Sequence, residues 1–209
     1  LEPRNALPHL DLELAPSYVP ELFALLQGGF VVSGIRPGRS LMSFLTEQIG
    51  LSREYIQGHI STIFLDGMPV DDPDTAVIMN GSRLALSAAL PGLVGATMRQ
   101  GGVLASLRNS ITYRASGKES ADSTGAEGIL YLKLFNIVMQ ELGPSLLEKG
   151  ILVDTCELKE FLDEHHDLLL KCRRIFLDCH SVGPDEVVIE DAFRGFDLVR
   201  LSVKTIDGE

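Results

Sequence analysis

"STIFLDGMPVDDPDTAVIMNGSRLALSAALPG", residues 61–92, reads as a strand, a tight turn, a polar crossover, a second turn and another strand. Asp66-Gly67 and Asn80-Gly81 are the turn dipeptides, because such turns need positive backbone angles that Gly, Asn and Asp tolerate. "STIFLDG" and "SRLALSAAL" supply the strands, and Pro91-Gly92 ends the unit.

Outward on the N-terminal side, Ser40 is placed to cap a helix over "LMSFLTEQIG". Leu41, Phe44, Leu45 and Ile49 form its apolar stripe, and Gly50 stops it. "GGFVVSGIRPG" (28–38) predicts a strand closed by a Pro-Gly turn. "HLDLELA" (9–15) sets Leu10, Leu12 and Leu14 on one face and Asp11 and Glu13 on the other, the period of a half-buried strand. Between these strands, Leu22, Leu25 and Leu26 in "SYVPELFALLQ" fall at the spacing of a short helix.

The runs "RPGRSLMSFLTEQIGLSREYI", "IFLDGMPVDD" and "MNGSRLALSAALPG", in that order, resemble the β-grasp fold of the ubiquitin-like sulfur carriers. In these proteins of molybdopterin and thiamine synthesis a helix opened by G-x-S/T-L precedes a V-N-G-x-x-V strand and turn, then a D-G-D-x-V turn and the last strand. The resemblance covers about residues 7–92. It implies an α+β fold with an N-terminal β-grasp (ubiquitin-like) domain over residues 5–95. It also implies a role for "MRQGG". The carriers end in Gly-Gly, whose carboxylate is adenylated and converted to a thiocarboxylate, so Gly101 and Gly102 are the candidate carrier tail. Diglycine has no side chains and threads a narrow active site in extended form. Here 107 residues follow the pair, so a carrier would require cleavage after Gly102. The plainer reading of a glycine pair is a turn. Leu93, Val94 and Met98 before it, and Val103, Leu104 and Leu107 after it, are then expected to be buried, with the pair as the bend.

Residues 96–128 are expected to be a connector, flexible over "RASGKESADSTGAEG" (114–128), which has no large apolar residue and cannot form a core face. Residues 129–209 are expected to form a second small α+β domain with two amphipathic helices. The first is "GILYLKLFNIVMQEL" (128–142), with Leu130, Leu134, Ile137, Val138 and Met139 inward and Gly143-Pro144 as its end. The second, capped by Asp154 or Thr155, is "CELKEFLDEHHDLLLKCRRIFLD", with Leu158, Phe161, Leu162, Leu169 and Ile175 inward. "DEVVIED" and "FDLVRLSVKTI" predict closing strands; in the latter Val199, Leu201 and Val203 share a face.

Composition narrows the function. At 45% hydrophobic residues the 209-residue chain can bury a core, and its formal net charge is −11. Residues 1–110 carry 7 basic and 10 acidic side chains, residues 111–209 carry 11 and 19, and tryptophan is absent. Nucleic acid is not expected as a partner, since phosphate neutralisation and base stacking need the opposite composition. No apolar run reaches the roughly 20 residues of a membrane span. An N-terminus without a basic start and apolar centre, and the odd number of cysteines, make cytoplasm the expected location.

Two clusters hold side chains capable of chemistry. Cys172, Cys179 and His180, with His165 and His166 earlier, give a C-x6-C-H spacing that matches no zinc pattern. Asp66, Asp71, Asp72 and Asp74 lack the alternation, central Gly and closing Glu of a calcium loop, and aspartate favours turns in its own right. No catalytic residue, metal ligand or cofactor is assigned. The leading expectation is a non-enzymatic β-grasp-containing binding or adaptor protein with a protein partner. A sulfur-carrier precursor or fused carrier using Gly101-Gly102 after processing is the alternative. An enzyme with a site at the domain junction is the third reading.

Overall fold

Residues 7–108, 111–114, 126–184 and 193–206 are described by the structure, a computed structural model. The strands in chain order are β1 (His9–Leu14), β2 (Phe30–Ile35), β3 (Thr62–Leu65), β4 (Met68–Pro69), β5 (Arg83–Ser87), β6 (Gly128–Phe135), β7 (Ile151–Asp154), β8 (Arg174–Leu177), β9 (His180–Val182) and β10 (Leu198–Thr205). The helices are α1 (Phe23–Gly28), α2 (Leu41–Ser43), α3 (Arg53–His59), α4 (Gly92–Met98), α5 (Asn136–Lys149), α6 (Thr155–Glu164) and α7 (His166–Lys171). The fold is mixed α+β. The chain divides into two compact units, one of Leu1–Phe30 with Gln140–Glu209 and the other of Val31–Met139.

In the Val31–Met139 unit the strand order is β4-β3-β5-β6-β2. β3 pairs antiparallel with β4 and β5, and β5 pairs parallel with β6, Leu84 opposite Leu132 and Leu86 opposite Leu134. Asp66 (φ 52°) and Gly67 (φ 79°) make the tight β3–β4 turn. Ser40 Oγ accepts from Ser43 N at 3.2 Å and opens α2. The helix then continues as π-helical turns over Phe44–Ile49 and stops at left-handed Gly50. Leu41, Phe44 and Leu45 are buried. The crossover is stitched to this helix start: Leu41 N donates to Ala76 O at 2.7 Å and Gly38 N to Ile78 O at 2.8 Å. It buries Val70, Ala76 and Ile78, so it is polar only in part.

In the other unit the order is β7-β10-β1-β8-β9. β1 pairs parallel with β10 and antiparallel with β8. Leu10, Leu12, Leu14, Val199, Leu201 and Val203 form the buried face. The alternation read in "HLDLELA" and "FDLVRLSVKTI" holds, and the first of these strands is completed by residues nearly two hundred positions later. "DEVVIED" and residues 115–125 of the connector lie outside the described residues.

Three expectations are corrected. Residues 128–135 are a strand rather than the first turns of a helix. Leu130, Leu132 and Leu134 are buried and Tyr131 and Lys133 exposed, a period of two that the helical reading overrode. α5 runs through Gly143-Pro144 to Lys149. A β-carbon on Gly143 would lie 2.8 Å from Leu26 Cδ1, so that glycine serves close packing and not termination. The long helix breaks at His165 (φ −117°), and Ile175 is buried on strand β8. Its start is as read: Asp154 Oδ1 accepts from Cys156 N at 2.8 Å and Glu157 N at 3.2 Å. No helix among the described residues is long and apolar enough to cross a membrane.

Candidate functional site

Within the Val31–Met139 unit, residues 91–108 and 111–113 form a lobe. α4 leads into a turn at Gln100–Gly102, and a 3-10 turn follows over Ala105–Arg108. Gly101 takes φ +61°, a conformation in which a side chain would be strained. Gly102 N donates to Arg99 O at 3.2 Å and Ala105 N to Gly102 O at 2.9 Å, so the glycine pair is a hydrogen-bonded bend.

Polar anchors hold the underside. Arg108 is 3% exposed, and its guanidinium grips Asp71 with two bonds of 2.6 and 3.2 Å. It also donates to Thr97 O at 2.6 Å, Arg99 O at 3.3 Å and Thr112 Oγ1 at 2.8 Å. A charge removed from water needs such complete pairing. Gln100 adds a backbone bond to Ser61 O at 2.7 Å and a side-chain bond to Asp71 O at 2.8 Å. Tyr113 N donates to Pro69 O at 2.8 Å, and its hydroxyl donates to Val77 O at 3.2 Å. Gly95 fits against Leu90, whose carbonyl a β-carbon there would overlap.

Aliphatic side chains of this stretch are exposed. Val103 is 96% exposed, Leu93 73%, Leu107 71% and Val94 69%. The expectation of burial is therefore wrong for these four, while Met98 and Leu104 are half-buried. The polar anchors suffice to fix the lobe, which leaves its apolar side chains free to face solvent.

A cleft of about 320 Å³ beside the lobe is lined by Asp71, Asp72, Asp74, Gln57, Gln100 and Gly101 among others. Its carboxylates already have structural partners. Asp71 pairs with Arg108. Asp72 Oδ1 accepts from Asp74 N at 2.9 Å, and Asp74 pairs with Arg53 at 2.8 and 3.1 Å. The Arg53 hydrogen bond holds Asp74 below the usual carboxylate range. Asp66 accepts from Arg83 N at 2.7 Å and Ser82 Oγ at 3.1 Å. Among the described residues no group of three His, Cys, Asp or Glu side chains is placed to hold a metal ion.

The cysteine and histidine residues do not converge either. His165 stacks on Phe161 with ring centres 4.3 Å apart, and His180 Nδ1 lies 3.0 Å from Asp178 O. All three cysteines are free. Burial pushes the Cys172 thiol up to about 11, and its Sγ donates to Leu168 O, so it is not an activated nucleophile. The residue that sequence reading missed is Arg108. Its one signal was a lone cation in the apolar run "VLASLRNSI", with nothing local to name Asp71 as its partner.

Searches of family models, of curated proteins and of solved structures returned no match to this chain.

Proposed function

We propose that this chain is a non-enzymatic binding or adaptor protein whose Pro91–Tyr113 lobe engages a protein partner through its exposed aliphatic side chains. The observation that carries this reading is the exposure of Leu93, Val94, Val103 and Leu107 on a lobe anchored by the hydrogen bonds of Arg108, Gln100 and Tyr113. Burying each such side chain is worth about 1.5–3 kcal/mol, so solvent is an unfavourable resting place for four of them. Large apolar side chains grouped on a surface mark interaction sites. A plain connector needs neither a buried arginine nor four exposed aliphatic groups.

The unit that bears the lobe reads as β-grasp-like. Its order β4-β3-β5-β6-β2, with a helix after β2 and a parallel β5–β6 pair, supports that reading. On this view β6, which follows the lobe, takes the place of the first strand of the ubiquitin-like fold. The sulfur-carrier reading fits less well. Cleavage after Gly102 would detach Arg108 from Asp71 and remove the strand that pairs with β5. The carboxylates of the cleft beside the lobe are engaged in turns and ion pairs, so that cleft does not favour an enzymatic reading.

The test places a photo-reactive amino acid at position 103 of the full chain in its cell of origin. A discrete adduct with one other protein is expected, and Val103→Glu with Leu107→Glu should remove it while leaving the melting curve unchanged. Adducts only between copies of this chain, or none, would overturn the adaptor reading. Recovery of a chain ending at Gly102 would establish the carrier.

A further inference from the structure

A second pocket lies in the same unit, built where the end of β2, the turn after it and the π-helical turns converge. Its volume is about 320 Å³, and Gly34, Arg36, Arg39, Glu47, Gln48 and Glu127 are among its walls. That size is at the lower end of small-ligand sites. Two hydrogen bonds fix the walls. Gln48 Nε2 donates to Gly34 O at 2.8 Å, which ties the helix to the strand. Ser43 Oγ donates to Glu47 Oε1 at 2.8 Å and orients that carboxylate. Gly34 takes φ +72°, and the Glu127 carboxylate comes within 3.6 Å of where its β-carbon would be.

Two features single this pocket out. The helix forming one wall is π-helical over Phe44–Ile49, a rare geometry that recurs at functional sites. Among the described residues the four charged side chains lining it, all of them exposed, also stand without ion-pair partners. Two guanidiniums and two carboxylates share the pocket, yet among the described residues no ion pair joins Arg36 or Arg39 to either glutamate. Opposite charges lining one small cavity complement a ligand that carries both signs. A guanidinium takes a carboxylate in bidentate fashion, and a glutamate accepts from an ammonium.

We propose that this pocket binds a small zwitterion of the α-amino acid class, its carboxylate on Arg36 and Arg39 and its ammonium between Glu47 and Glu127. The proposal is independent of the lobe and gives the unit a small-molecule input.

The test is an NMR titration of the full labelled chain with each standard L-amino acid at millimolar concentration. At least one should shift the amides of Gly34, Arg39, Gln48 and Glu127 saturably. The matching amine, which lacks the carboxylate, and the matching des-amino acid should each bind about tenfold or more weakly. Arg39→Gln and Glu127→Gln should weaken binding to a similar degree with no change in melting. Were a variant to misfold, the comparison of the two analogues on the unaltered chain still decides the matter. Absence of saturable shifts with every amino acid overturns the proposal. Binding of the des-amino acid or of inorganic phosphate as tightly as the parent overturns it too, since that marks a simple anion site.

Discussion

The guanidinium of Arg108 is neutralised by a carboxylate 37 residues back along the chain, and among the described residues no other side chain ties the lobe down with as many bonds. Arg108→Met keeps the bulk and removes every donor, leaving Asp71 and two backbone carbonyls without their partner. Since hydrogen bonds to charged groups are worth about 1.5–3 kcal/mol and Asp71 can rehydrate, a loss of about 2–3 kcal/mol in urea unfolding is expected. A variant within about 0.5 kcal/mol of the parent would show that the contact is ornamental. Cys172 offers a second residue-scale check. Burial favours its neutral thiol in the folded chain, so only the unfolded chain ionises between pH about 9 and about 11. Its contribution to stability is complete below that window and falls as pH rises through it. Near pH 8, Ellman's reagent should titrate Cys156 and Cys179 quickly and the half-buried Cys172 more slowly; three equal rates would contradict the raised thiol.

At the scale of elements, β6 separates the two periods most clearly. Leu132→Ala should cost about 2–5 kcal/mol by opening a cavity, whereas Lys133→Ala should change stability by no more than about 0.5 kcal/mol. A helix over 128–135 would not give that alternation. Strands with polar residues on their outer face were legible: Leu10, Leu12 and Leu14 of β1, and Val199, Leu201 and Val203 of β10, announce their buried sides. Helix starts were legible too, at Ser40 and Asp154, because a cap is a local interaction. β6 was misread because it runs straight into α5, so apolar residues of both periods share one window. β7, β8 and β9 have four, four and three residues, too short for a period to show. Pro144 suggested an end that Gly143, packed against Leu26 and Phe23, does not provide.

For the whole molecule, the division falls between Phe30 and Val31 and between Met139 and Gln140, so one unit is assembled from both ends of the chain. Composition marks polar stretches but carries no sign of where a chain re-enters a unit, and the parallel pairing of β1 with β10 has no local signature. The candidate site was half legible. The bend at Gly101-Gly102 and its flanking apolar residues stand out in the sequence, but the buried Arg108 that frees those residues from a packing role does not. The central claim is that Pro91–Tyr113 is a built, anchored surface and not a free tail. Hydrogen exchange of the full chain tests it most directly, read at Arg99, Gln100 and Tyr113, whose amides donate to Gly95, Ser61 and Pro69. Protection at these three amides, lost in Arg108→Met while β5 stays protected, is the expected result. Exchange at the rate of an unstructured chain in the parent protein would contradict it.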